Sequence, residues 1–194
     1  LEGLQDRIYE SPGTVLFDSY FESKRTVPND SRLRRKTMGN VDRSVVDMWK
    51  EYLESIGEDS KGTSLTYESW HFCDNEEDAN ELAQLVLEGT KRATASLYKS
   101  YEFENEELPK EGNHIVVTDW NGVARCIIKS IKVTILPFRN ITEDHARIEG
   151  EGDKSLKYWR EGHIGLFTRE CQAMGLEFNE DMLVVFEEFK VVYP

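Results

Sequence analysis

Two runs rich in β-branched residues, 114–120 and 123–136, are separated only by the dipeptide Asn121-Gly122. Both runs remain strands only if the chain reverses between them, and Asn-Gly is the strongest short signal for a two-residue hairpin turn. That pair commits the second half of the chain to an antiparallel arrangement. A final strand is expected over 182–192.

The rest of the pattern is helical. Val45, Val46, Trp49, Leu53 and Ile56 recur at helical spacing and end at Gly57. Trp70-His71-Phe72 reads as a short strand. Asp74 followed by Glu77 resembles a capping box, opening a helix that buries Ala79, Leu82, Ala83 and Val86 and stops at Gly89. Thr142 is placed to cap a short helix over 141–148. A longer helix over 155–175 carries Leu156, Trp159, His163, Phe167, Cys171 and Met174 on one stripe. Strands among a few helices, without repeated βαβ units, give an α+β fold built on a small, mostly antiparallel barrel.

With 194 residues and 39% hydrophobic content, the chain suits one domain that needs no disulfide or structural metal. Cys73, Cys126 and Cys171 are odd in number and show no C-x-x-C spacing. No apolar run approaches a membrane span, and no basic-then-apolar leader is visible, so a cytoplasmic protein without membrane contact is expected. Residues 1–40 differ from the remainder, with Ser11-Pro12-Gly13, Pro28-Asn29-Asp30 and the basic run Arg32-Leu33-Arg34-Arg35-Lys36. They read as an N-terminal appendage, whose Val15, Leu16, Phe17, Tyr20 and Phe21 could dock on a body formed by residues 41–194.

The net charge of −13 argues against adhesion to DNA or an anionic membrane. Two windows run against that average. Residues 89–101 hold Lys91, Arg92 and Lys99, and residues 121–140 hold Arg125, Lys129, Lys132 and Arg139, neither with an acid. If the windows meet they form a small positive island; the alternative is basic side chains that simply face water.

Where the helix ending at Gly89 must turn into a strand, the chain reads Gly89-Thr90-Lys91-Arg92-Ala93-Thr94. A G-x-K-x-x-T string alone is weak, but such a junction exposes backbone N–H groups at the rim of a sheet. The string resembles the signature of the ASCH domain family, a PUA-like fold. The likeness continues through Pro109 and Gly112, the strands around Asn121-Gly122, the run from Ile141 to Gly150, and Ser155, Trp159 and His163, where it is similar to an uncharacterised bacterial subgroup. It implies a pseudo-barrel flanked by helices with a cleft beside the signature loop. It also implies RNA-related roles: some small members hydrolyse the acyl amide of N4-acylated cytidines, and others are described as ribonucleases. By motif, the proposed catalytic lysine, threonine and glutamate fall on Lys91, Thr94 and Glu149.

Those three groups suffice chemically for amide hydrolysis. A threonine hydroxyl needs a base, a lysine serves as one only if burial or a neighbour such as Arg92 lowers its pKa, and a carboxylate can carry a proton to the leaving amine. Residues three apart on a regular strand face opposite ways, so convergence of Lys91 and Thr94 requires an irregular 89–94. Further ligand-binding candidates are Trp70 and Trp159 as stacking platforms, Gly89 as exposed backbone, Ser96 and Ser155 as hydroxyl donors, and Arg92 and Arg125 as cations. His163 reads as a satisfied core histidine. A metal site on Glu149, Glu151 and Asp153 is the lesser reading of that acidic loop, and no cofactor is expected. Three functions remain open: amide hydrolysis on a nucleoside-like ligand, PUA-type binding of short single-stranded RNA, and metabolite sensing without turnover.

Overall fold

The computed structural model describes residues 25–27 and 41–194. Six strands form one sheet: β1 (Arg25–Val27), β2 (Tyr67–Trp70), β3 (Ala93–Leu97), β4 (His114–Thr118), β5 (Ala124–Pro137) and β6 (Leu183–Tyr193). Their order is β1-β2-β4-β5-β6-β3, antiparallel throughout except where β2 runs parallel to β4. Among the described residues five α-helices accompany them: α1 (Arg43–Ser55), α2 (Glu76–Leu87), α3 (Tyr98–Glu104), α4 (Glu143–Glu149) and α5 (Leu156–Ala173). The fold is therefore mixed α+β and PUA-like. The apolar residues singled out between positions 15 and 21 lie outside the described residues. Among the described residues no helix is long and apolar enough to cross a membrane.

Strand alternation divides the core into three layers. Val116, Ile127 and Tyr67 face one way and receive Val45, Trp49, Tyr52 and Leu53 of α1. Ile115, Val117, Cys126, Ile128 and Phe189 face the other way and receive Leu82, Ala83 and Val86 of α2. At the far end Ala93, Ala95 and Leu97 of β3 join Val184 and Phe186 of β6 under Trp159, Phe167 and Cys171 of α5. Because alternate residues point oppositely, Thr94 and Ser96 are left facing away from α5. Bulges at Ile127/Ile128 and Ser130/Lys132 interrupt the long β5–β6 ladder, where such irregularities bend a strand.

Several local expectations are corrected. The hairpin forms, but its loop has three residues rather than two. The Gly122 N–H bonds the Asp119 carbonyl at 3.0 Å, and Asp119 pairs with Val123. Gly122 alone takes a positive φ, +80°, whereas a two-residue type I′ turn needs two such residues. The cap of α2 is Asn75, whose side chain accepts from the Asp78 N–H at 3.0 Å. Asp74 instead receives the Arg169 guanidinium at 3.0 Å. Strand β2 ends at Trp70, before His71 and Phe72, and Cys73 at φ +56° turns the chain toward α2. Ile56 falls beyond α1 and is 47% exposed.

Candidate functional site

The loop between α2 and β3 is fixed by backbone bonds before any side chain is considered. After Gly89 takes φ +70°, the Leu85 carbonyl accepts from both Thr90 and Lys91 N–H, at 2.9 and 3.0 Å. The Arg92 N–H then reaches the Ile148 carbonyl of α4 at 3.1 Å, and the Arg92 carbonyl accepts from Phe189 of β6 at 2.9 Å. Regular pairing begins only at Ala93. This irregular stretch lies against the end of α4, and Lys91 points inward beside Glu149.

Both side chains are buried, each residue 1% exposed. The Lys91 Nζ lies 3.4 Å from Glu149 Oε1, donates a short bond to Glu151, and sits 4.9 Å above the Phe72 ring. Glu149 has each oxygen occupied. Oε1 also accepts from the Ala95 backbone N–H at 3.1 Å and faces His163 Nε2 at 3.5 Å, while Oε2 accepts the Trp159 indole N–H at 2.5 Å. Burial disfavours the Lys91 ammonium, yet the carboxylates of Glu151 and Glu149 outweigh it and raise its pKa. Burial likewise opposes the Glu149 carboxylate. Lys91, His163 and the indole reverse that and bring its pKa down to about 2.

This geometry corrects the expected role of the lysine. A base needs a lowered pKa, but two carboxylates, not Arg92, face Nζ and keep it charged. Lys91 is suited to donate to developing negative charge instead. Glu149, saturated by four partners, is suited to hold Lys91. Glu151 retains surface, its side chain 21% exposed.

Above this pair opens a cleft of about 710 Å³. Thr94 and Ser96 of β3, Glu187 of β6, and Glu68 and Trp70 of β2 line its walls, together with Glu149, Glu151, Tyr101, Tyr158 and His163. Asp74, Asp78, Glu81, Glu106 and Glu107 add further carboxylates, against Arg169 as the single lining lysine or arginine among the described residues. The cleft is acidic.

Of the residues singled out from the sequence, Lys91 and Glu149 are in contact, and Thr94 lines the same cleft as Glu149. Trp70 lines it too, packed edge-on against Phe72. Ser96 lines it with its hydroxyl engaged by the Tyr101 hydroxyl at 2.8 Å. Trp159 lies beneath, bonded to Glu149. Four are placed elsewhere: Gly89 ends α2, Ser155 caps α5 through the Tyr158 N–H at 3.1 Å, Arg92 is exposed, and Arg125 faces Asp119 at 3.9 Å. The positive windows form no island at the cleft. Lys132 pairs with Glu188 at 2.8 Å, and Arg139 pairs with Asp181. In the acidic loop, Glu149 and Glu151 turn to Lys91, whereas Asp153 accepts from the Ser155 N–H at 2.8 Å.

Tyr101 and Tyr158 are site residues that sequence reasoning passed over, while His163 was read only as a core histidine and Glu151 only as a lesser candidate metal ligand. His163 carried a signal, since it follows Trp159 by one helical turn on the α5 stripe. Glu151 carried another in its place between two glycines.

Comparisons with known proteins agree on the family. The family model described as ASCH domain matches residues 68–193. A crystal structure of an ASCH domain from Lactobacillus crispatus JV V101 is 40% identical, covering 81% of this chain and 99% of its own, with a TM-score of 0.75. A protein from Enterococcus faecalis V583 is 35% identical, covering 78% of this chain and 89% of its own, with a TM-score of 0.71. No curated protein matches the chain.

Proposed function

The chain belongs to the ASCH domain family, and from that premise we propose that its cleft binds an uncharged, nucleobase-sized ligand and hydrolyses an acyl amide on it, as in an N4-acylated cytidine. The observation that carries this reading is the buried Lys91–Glu149 pair beneath a cleft that Thr94 lines. The volume of about 710 Å³ lies within the range of small-molecule sites. Trp70, Tyr101 and Tyr158 offer apolar faces to a base.

In the proposed reaction the amide carbonyl oxygen takes the place of the Glu151 carboxylate at Lys91, and the ammonium donates to that oxygen as it becomes negative. The Thr94 oxygen attacks the carbonyl carbon, and its proton passes to Glu151. The C–N bond then breaks, and Glu151 returns the proton to the leaving amine nitrogen. Water hydrolyses the resulting Thr94 ester, releasing the carboxylic acid and restoring the hydroxyl. Glu149 takes no proton; its four partners keep it as the fixed counter-ion of Lys91.

The carboxylate lining favours an uncharged ligand over RNA, because each phosphate brought to the cleft adds repulsion. A panel of N4-acylcytidines and short single-stranded RNAs, offered to wild type, Lys91→Ala and Thr94→Val, tests the reading. Deacylation by wild type that both substitutions abolish is the expected result. Salt-sensitive RNA binding without deacylation overturns it in favour of a PUA-type module. Nucleoside binding without turnover overturns the hydrolytic half and leaves a sensing domain.

A further inference from the structure

We infer that His163 is held as an imidazolium and positions Glu149, and through it Lys91. The assignment concerns the charges beneath the cleft and stands whatever the ligand.

The ring is almost enclosed, with 7% of the residue exposed. Its two nitrogens meet two acceptors. Nδ1 lies 2.9 Å from the Trp159 carbonyl oxygen, one turn back on α5, and Nε2 lies 3.5 Å from Glu149 Oε1 on α4. A carbonyl oxygen and a carboxylate have no proton to give, so Nδ1 must donate. A neutral ring with that tautomer would then aim the Nε2 lone pair at a carboxylate. Only the doubly protonated ring satisfies both contacts.

Charge balance gives the same answer. The groups facing the ring are Glu149 from α4, Glu151 from the loop after it, and Lys91 across Glu149 from the α2–β3 loop. With a neutral His163, the buried Glu149 and the partly exposed Glu151 would share one buried ammonium; with an imidazolium the four charges cancel. The ring also stacks on the Trp159 indole, with centroids 3.9 Å apart and planes at 15°, and meets the Phe167 edge at 5.4 Å. A cation gains from lying over an indole face. Glu149 is thereby gripped on Oε1 by two cations and on Oε2 by the same indole that supports one of them. Burial works against this imidazolium, and the Glu149 carboxylate reverses the effect and raises its pKa.

The test is nuclear magnetic resonance of the nitrogen-15-labelled 194-residue chain without ligand, so its outcome is separate from any assay of hydrolysis. In wild type at neutral pH, both His163 ring nitrogens are expected at the imidazolium position, and the Lys91 ammonium is expected as a slowly exchanging signal. In Glu149→Gln the His163 midpoint is expected to fall, because the carboxylate that raises it is gone. In His163→Gln the Lys91 signal is expected to broaden into the solvent while the backbone spectrum stays folded. A wild-type ring with one protonated nitrogen at neutral pH overturns the charge assignment, with no variant needed. A folded His163→Gln protein with an unaltered Lys91 signal overturns the positioning role.

Discussion

Gly150 lies so close against the Thr90 backbone that a methyl group in place of its α-hydrogen would overlap the Thr90 carbonyl oxygen. The chain neighbours of these two residues carry the site: Lys91 comes after Thr90, and Glu149 comes before Gly150. Backbone contact therefore sets the separation of the ammonium and the carboxylate.

That contact makes Gly150→Ala a severe substitution. Gly150 sits at φ +79° and has no room, so left-handed strain of about 1 kcal/mol adds to overpacking of about 2 kcal/mol. Gly122 has a similar φ, +80°, but nothing within 4 Å, so Gly122→Ala is expected to cost only about 1 kcal/mol. Urea midpoints of the two variants check the difference. Equal losses would mean that the Thr90 contact yields easily.

Removing the cation should damage stability as well as activity. Lys91→Ala leaves Glu149 buried against its remaining partners, and breaking a buried pair typically costs about 3–5 kcal/mol. Chemical denaturation of the variant measures it. A loss well below about 1 kcal/mol would show that water reaches Glu149 once the lysine is trimmed.

Thr94→Val should separate chemistry from folding. The substitution keeps the branched shape on β3 and removes only the hydroxyl. The thermal midpoint should move little, while deacylation should fall by about a hundredfold or more. Undiminished turnover would exclude Thr94 as the nucleophile.

Stability should decline at both ends of the pH range, for opposite reasons. The Glu149 pKa is about 2 in the folded protein against an ordinary 4.5, so its contribution is complete above about 4.5 and disappears as pH falls toward 2. The His163 pKa is raised, so its contribution is complete below the ordinary 6.5 and disappears as pH climbs through the folded value. Urea midpoints across pH would show both limbs. Glu149→Gln should flatten the acid one, and a variant that keeps it unchanged would assign the effect to other carboxylates.

The elements were legible where one local rule governed them. Helix α2 and its stop at Gly89, the Thr142 cap and the α5 stripe all follow from spacing and capping chemistry. Where two adjacent residues could serve equally, as Asp74 and Asn75 at the α2 cap, the outcome depended on Arg169 from α5, far away in sequence. The same limit applied to the site. A motif pointed to Lys91, Thr94 and Glu149, but the charge on the lysine depends on Glu151, and the role of His163 depends on which atoms its nitrogens meet. Spacing along a chain carries neither. Counting basic residues misled for the converse reason, since acids brought by other strands and loops answer Lys132 and Arg139.

The cleft is lined by the carboxylates of Glu68, Asp74, Asp78, Glu81, Glu106 and Glu107. Under the proposed function their field is expected to discourage the phosphorylated forms of a base relative to the bare nucleoside, and added salt should blunt that preference. Selection by charge along that lining would then leave contact with the Trp70, Tyr101 and Tyr158 rings to discriminate by shape.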